Sequence, residues 1–275
     1  MLPFRKIVFP VDYSEPCQAV APYVQEIAAR YSAQLTVVHA YAEPQLPQHE
    51  VHTMEEDKLR QFVNRVFPGQ TVECFAQLGE PGDVIDKLAQ DQRADLVMLA
   101  TRGHGPVRRL LLGSVTAKVL HDIGAAVWTG AGGTLPDHAA RIPYQSIVCA
   151  LDESDEAEAV LRAAASIASD YGAQLWILHV VPTPPRYPDI DLEEHTKKLT
   201  EISQVRLREL KTKLGVDAPH TVIDSLLADG IHQEILRRKA DLLITGRGRA
   251  SGTFSRLWSH LYSLIRDSPC PVLSI

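Results

Sequence analysis

The stretch YSAQLTVVH at residues 31–39 returns as YGAQLWILH at residues 171–179, an offset of 140 residues. At the same offset Asp12 and Ser14 match Asp152 and Ser154. Further on, RADLVMLATRG at 93–103 is echoed by KADLLITGRG at 239–248, one residue shorter. The matching segments keep one order in both halves, so the chain reads as two copies of one domain. The period is domain-sized and lies far above the ~20–50 residues of a solenoid repeat. A length of 275 residues also fits two domains at ~150 residues each. The segment AGGTLPDHAARIP at 131–143 is the natural joint. The expected boundaries are 1–132 and 144–275, with 133–143 as linker.

Each copy alternates strand and helix. Lys6 to Val11 is a short apolar run of the kind found in a strand buried on both faces. Ser14 is placed to cap the helix that follows, with Pro16 in its first turn. That helix is expected to run to about Tyr31, and Gln34 to Ala40 forms a second strand. A Pro-rich loop over 41–50 precedes a polar helix from about 52 to 66. Thr71 to Leu78 alternates as a third strand. GEPG at 79–82 is turn punctuation before a helix to about Gln92. Asp95 to Ala100 is a fourth strand, Ser114 to His121 a helix, and Ala125 to Thr129 a fifth strand. The second copy repeats this order from 145 to 275, with its longest helix at Leu192 to Leu214. Strands separated by helices imply parallel crossovers. The expected fold is therefore α/β: two tandem three-layer domains, each an open five-stranded parallel sheet with helices on both faces.

Composition narrows the function classes. Hydrophobic residues make up 45% and charged residues 23%, an ordinary globular balance. A net charge of −6 argues against gripping nucleic acid or an anionic membrane through the overall field. No apolar run approaches the ~20 residues of a membrane span. The N-terminal MLPFRKIVFPVD lacks the pattern of a secretory leader, so a cytoplasmic location is expected. Cys17, Cys74, Cys149 and Cys270 are scattered without Cys-x-x-Cys spacing, which disfavours both disulfides and structural zinc. Cys74 and Cys149 fall in strand-like runs and read as buried thiols. His49 and His52 fall in a polar loop and are too few for a metal site. His39 and His179 end matching strands.

Residues 100–116, ATRGHGPVRRLLLGSVT, carry the chemistry. Gly103 closely follows a buried strand, and Gly113-Ser114 opens a helix. A helix N-terminus offers unpaired N–H groups and the positive end of its dipole to an anion. A glycine lets backbone approach phosphate oxygens closely. Ser114 and Thr116 can add hydroxyls, while Arg102, Arg108 and Arg109 supply charge; His104 lies beside the loop. From the residues alone, a phosphate cradle and a plain turn with a helix cap are both open readings. Neither the Walker A pattern nor the Gly-x-Gly-x-x-Gly fingerprint is present.

At this loop the sequence resembles the universal stress protein family in its tandem two-domain form, over nearly the whole chain. Nucleotide-binding members carry Gly-x2-Gly-x9-Gly-Ser/Thr after the fourth strand, an Asp at the end of the first and a His near the end of the second. The first half here has Asp12-Tyr13-Ser14, Val38-His39-Ala40 and Ala100-x2-Gly103-x9-Gly113-Ser114, with Ala100 in place of the first glycine. The resemblance implies ATP, ADP or AMP, with or without Mg²⁺. Pro10, Val11 and Asp12 would border base and ribose, and Ala40 would flank the base through its backbone. Ala100 would lie near the ribose, while Arg102, Gly103, Gly113, Ser114, Val115 and Thr116 would hold the phosphates. No catalytic base and no dedicated metal site are implied, though Asp12 and Ser114 could help to place a Mg²⁺.

The second half keeps Asp152 and His179, but its loop is eroded. Counting back from Pro271-Val272 aligns Gly248 with Gly103, Trp258 with Gly113 and Ser259 with Ser114. The second site is expected to be degenerate. The function implied is a cytoplasmic stress-response sensor that binds an adenine nucleotide and hydrolyses it slowly at most. A nucleotide-free interaction scaffold is the alternative, and an ATP-using transferase a more distant one. The fifth strands, Ala126 to Thr129 and Pro271 to Ile275, are expected to pair within the chain as a pseudo-dimer, with a homodimer of chains as a further option. The protein partner is not readable.

Overall fold

A computed structural model of the chain describes residues 4–42, 48–102, 112–132, 141–182, 192–247 and 254–275. Gly103, His104, Arg108, Arg109 and Gly248 lie outside the described residues. The chain divides into two compact units, Pro3–Gly132 and Gly133–Ile275.

Unit 1 contains β1 (Lys6–Pro10), α1 (Glu15–Tyr31), β2 (Gln34–Tyr41), α2 (Gln48–Val66), β3 (Val72–Leu78), α3 (Pro81–Gln92), β4 (Leu96–Leu99), α4 (Ser114–Asp122) and β5 (Ala126–Thr129). Its strands are parallel and lie in the order β3-β2-β1-β4-β5. The chain lays down β1 to β3 in one direction and then crosses back past β1 to place β4 and β5. A topological switch point therefore falls between β1 and β4, where the carboxyl ends of two strands open a crevice.

Unit 2 repeats the pattern with β6 (Ser146–Leu151), α5 (Ala157–Tyr171), β7 (Gln174–Pro182), α6 (Leu192–Leu214), β8 (His220–Ser225), α7 (Leu227–Arg238), β9 (Leu242–Thr245), α8 (Phe254–Asp267) and β10 (Val272–Ser274). Its order is β8-β7-β6-β9-β10, with β6 and β9 flanking the equivalent switch point. Each sheet carries helices on both sides, as the alternating pattern implies.

The repeated residues have identifiable structural tasks. Ile7, Val8 and Phe9 are all buried, as are Ile147, Val148 and Cys149, so the central strands have no solvent face. On α1 the buried residues Cys17, Val20, Ala21, Val24, Ile27 and Ala28 follow helical spacing. The Asp of RADL and KADL lies just before its strand and fastens the neighbouring central strand. Asp95 Oδ2 accepts from Arg5 N and Lys6 N, each at 2.9 Å. Asp241 accepts from Gln145 N at 2.8 Å and Ser146 N at 3.1 Å. Burial raises the Asp241 carboxyl above its ordinary range despite these bonds. The repeat YSAQL/YGAQL is a helix stop: Ser32 and Gly172 both adopt left-handed backbone, at φ of 50° and 61°.

Some sequence expectations need correction. The helix expected from about residue 52 starts at Gln48, so His49 and His52 lie on α2 and not in a loop. His52 is tied by its ring to the Tyr41 hydroxyl at 2.9 Å. β4 is Leu96–Leu99, one residue shorter at each end than expected, although Asp95 N already donates to Lys6 O at 2.9 Å. Cys149 is buried, but Cys74 is only half-buried, because β3 is an edge strand of its unit with one face partly open. No helix among the described residues is long and apolar enough to cross a membrane.

Candidate functional site

A cavity of about 270 Å³ opens at the switch point of unit 1. That is close to the ~300 Å³ at which small-molecule sites begin. Every described residue expected at the site lines it: Pro10, Val11, Asp12, Ala40, Ala100, Arg102, Gly113, Ser114, Val115 and Thr116. Gly103 is the one expected member beyond the described residues. Six lining residues were not on the expected list: Cys17, Val38, His39, Pro81, Ile85 and Leu99. Pro81 and Ile85 sit on α3, which packs against β1, β2 and α4. Only the crossover past β1 brings that helix to the cavity, and local sequence does not carry that information.

The β1 end of the site is built by a departure from pairing. Val11 N donates to Val38 O at 2.8 Å, and β1 then leaves the sheet. Ala40, two residues past Val38, turns its N–H and C=O to the same side, into the gap that β1 vacates. Tyr13 has φ of 63°, and this left-handed step turns the chain toward α1. Asp12 Oδ1 accepts from Ser14 N at 3.0 Å and from Ser14 Oγ at 2.6 Å. Ser14 Oγ in turn caps Cys17 N at 3.3 Å. Asp12 is thus a turn-former as well as a cavity residue. The same arrangement recurs at Asp152 and Ser154, with bonds of 3.1 and 2.5 Å.

The β4 end supplies the electropositive groups. Gly113 is the N-cap of α4 and makes no side-chain cap. The N–H groups of Ser114, Val115 and Thr116 have no acceptor within the helix, whose bonds begin with Ala117 N to Gly113 O at 2.9 Å. Gly113 has an ordinary φ of −61°, so it is not required for backbone freedom. An added Cβ would sit 3.3 Å from the Thr101 carbonyl oxygen, to which Gly113 N donates at 3.0 Å. The glycine permits this close return of the loop to β4. Thr116 is buried, and its hydroxyl donates to Ala100 O at 3.0 Å. That hydroxyl is a loop tie, so what Thr116 offers the cavity is its N–H. Arg102 Nε is buried with no hydrogen-bond partner among the described residues. A guanidinium N–H held away from water without an acceptor is costly, and an anion in the cavity would relieve it. Burial raises the Cys17 thiol to about 12, so it lines the wall as an uncharged group. No group of three His, Cys, Asp or Glu side chains able to hold a metal occurs among the described residues.

The corresponding place in unit 2 is smaller, about 80 Å³. Ala150 and Leu151 at the end of β6 and Asp152 just after it line it, as do Thr245 at the end of β9 and Gly246 and Arg247 just after it. Leu178, Val180, Leu261 and Leu264 narrow it. Strand register makes the alignment firm. Val97 pairs with Val127, and Leu243, the residue matching Val97, pairs with Val272. Counting back from Val127 and Val272 aligns Gly113 with Trp258 and Asp122 with Asp267. The helices end together at Asp122 and Asp267, but α8 begins at Phe254, well before the aligned start of α4. Residues 258–261 are inside α8, where helix bonds engage the N–H groups that α4 leaves open.

The comparisons with known proteins agree with this architecture. The model of the universal stress protein family matches residues 3–129 and again 143–275. The chain belongs to the universal stress protein family, with two such domains in tandem. A universal stress protein of Thermus aquaticus is 28% identical over 135 residues, covering 48% of this chain and 98% of that protein. The crystal structure of a universal stress protein from Archaeoglobus fulgidus superposes with a TM-score of 0.69 at 21% identity, covering all of this chain and 97% of the other. A universal stress protein solved in complex with cAMP matches at 26% identity over 46% of this chain and 94% of its own, with a TM-score of 0.39.

Proposed function

We propose that unit 1 binds an adenine nucleotide at the β1–β4 switch point and that the protein acts as a nucleotide-responsive stress protein. The observation that carries this reading is one cavity that joins apolar walls, a buried Arg102 Nε without an acceptor among the described residues and the open N-terminus of α4. Pro10, Val38, Ile85 and Leu99 suit a flat base, and the backbone of Ala40 suits its polar edge. Asp12 lies at the sugar, and the N–H groups of Ser114, Val115 and Thr116 with Arg102 lie at the phosphates. Adenine as the base, and ATP, ADP or AMP as the ligand, come from the family resemblance. A Mg²⁺ arriving with the nucleotide would be held by phosphate oxygens and water, with Asp12 and Ser114 on the cavity wall to help place it. Binding with slow hydrolysis at most, a cytoplasmic setting and an intramolecular pairing of the tandem copies complete the proposal. For unit 2 the extended α8 favours the scaffold reading, with a site degenerate for nucleotide.

The test is acid extraction of the purified chain with nucleotide analysis, followed by calorimetric titration of the stripped protein with ATP and Mg²⁺. One nucleotide per chain is expected. Arg102→Ala should weaken it about 10- to 150-fold, the loss of a hydrogen bond to a charged group. Two nucleotides per chain would contradict the assignment to unit 1 alone. No binding at millimolar ATP would leave the scaffold reading for both units.

A further inference from the structure

His39 forms part of the cavity wall of unit 1 and also faces α2. Its Nδ1 lies 2.7 Å from the Val11 carbonyl oxygen. A carbonyl only accepts, so Nδ1 carries the hydrogen and Nε2 is where a second proton binds and leaves. Nε2 lies 3.4 Å from Glu55 Oε2, with the two side chains 14% and 21% exposed. Among the described residues, Tyr13, Lys58 and Tyr41 also stand around this pair. The Tyr13 ring centroid is 4.5 Å from the imidazole, and Lys58 Nζ stands 4.5 Å over that ring and 3.5 Å from Glu55. Asp12, Cys17 and Arg102 share the cavity wall. Burial raises both the Tyr13 phenol and the Cys17 thiol, so neither changes charge near neutrality.

His39 is the imidazole among the described lining residues, and Nε2 is the atom on it that can gain or lose a proton. With Nε2 bare, His39 and Glu55 together carry one negative charge; with Nε2 protonated, they carry none. A phosphate-bearing ligand beside them is repelled by the first state and not by the second. We infer that binding of an anionic nucleotide in unit 1 takes up a proton on His39 Nε2, so that the site tightens as the pH falls. This rests on the nucleotide reading of the same cavity. Linkage makes the effect reciprocal: the bound anion favours the proton as much as the proton favours the anion.

Unit 2 contains a natural contrast. His179 Nδ1 makes the same bond, to Leu151 O at 2.9 Å. Its carboxylate, Glu153, stands where unit 1 has Tyr13 and is already paired with Arg206 and with Ser203. The Nε2 to Glu153 separation is 3.9 Å. The proton-linked arrangement is therefore particular to unit 1.

The experiment is calorimetric titration of the full chain with ADP from pH 5.5 to 8, in two buffers of different ionisation enthalpy. His39→Gln is measured alongside; subtracting it removes the protonation of ADP itself. The wild type is expected to take up about 0.3 to 0.5 more protons per ADP than His39→Gln near pH 7, the count that a three- to tenfold affinity change implies by linkage. Its affinity should rise about three- to tenfold between pH 8 and 6, beyond any rise in the variant. Equal proton counts and equal pH slopes in the two proteins overturn the inference. Imidazole NMR of the wild type provides a readout independent of any variant: ADP should move His39 toward the doubly protonated ring at pH 7, and an unchanged ring overturns the inference. Failure of the wild type to bind ADP at any pH overturns the nucleotide reading, a result distinct from flat but measurable binding.

Discussion

The helices that follow the fourth strand of each unit end at aligned residues, Asp122 in α4 and Asp267 in α8, yet begin differently. In α4 the chain reaches Gly113 from Thr101 and starts the helix at the cavity edge, leaving three N–H groups directed at it. In α8 the helix has already begun before the aligned position, and the same three backbone positions are internal. Leu261 stands where Thr116 stands, and together with Leu264 it borders what is left of the cavity. One architecture thus opens a helix N-terminus at the crevice of one copy and leaves a narrowed crevice without it in the other, with Arg247 bordering the second as Arg102 borders the first. The lesson concerns backbone more than side chain. A bulky residue in place of glycine fills space, but extending the helix removes the donors.

The sharpest way to break this comparison is to reopen the unit 2 cavity. Leu264→Ala should destabilise the protein by about 2–5 kcal/mol, measured by chemical denaturation, because Leu264 is buried. Leu261→Ala should act in the same range. Neither variant should gain a second nucleotide per chain in the titration, since the N–H groups remain bonded inside α8. A second nucleotide bound by either variant would mean that side-chain bulk alone closes the site.

A smaller effect tests the repeat itself. Ser32 and Gly172 end equivalent helices in left-handed backbone, which costs a non-glycine residue roughly 1 kcal/mol. Ser32→Gly should raise stability by about that amount, and Gly172→Ser should lower it. No heavy atom lies within 4 Å of a Cβ added at Gly172, so the cost there is conformational alone. Thermal unfolding of the pair checks both signs, and a destabilised Ser32→Gly would count against the shared helix stop.

The smallest effect is a pH dependence found in one copy only. Lys213 and then Arg162 hold the Glu158 carboxyl below the ordinary carboxylate range, while the matching residue in unit 1 is the uncharged Gln18. A depressed folded-state value means the stabilisation is present above the unfolded carboxylate's range and is lost as the pH falls through the folded one. Glu158→Gln should therefore slightly flatten the acid limb of a stability–pH curve and change nothing near neutrality. The pair is solvent-exposed, so added salt should erase the difference.

Much of this was legible in the amino-acid order. The duplication, the strand–helix alternation and the family resemblance follow from residues that lie close together in the chain. The tasks of Ser14, Ser32 and Gly172 are local caps and stops, and such residues act on backbone within a few positions. Ten of the expected site residues meet at one cavity: six lie at the carboxyl ends of β1, β2 and β4, where parallel topology collects them, and four at the start of α4. By contrast, α2 begins earlier than the Pro-rich loop implied, and the ties made by Asp95 and Asp241 reach back some ninety residues to the central strands. Pairing at that distance leaves no local signal. The same holds for Pro81 and Ile85, which only the return crossover brings to the cavity, and for the Glu55 that faces His39.

The amino-acid order alone was enough to read a tandem pair of α/β units and the Gly103 and Gly113 positions after the fourth strand of the first. Local periodicity, caps and repeats suffice for that, because each depends on neighbouring residues. Three features needed the folded chain: the burial of Arg102 Nε with no acceptor among the described residues, the Thr116 hydroxyl engaged by Ala100, and α8 running through the positions where α4 begins. Burial, hydrogen-bond partners and the start of a helix are set by what the rest of the fold packs around them.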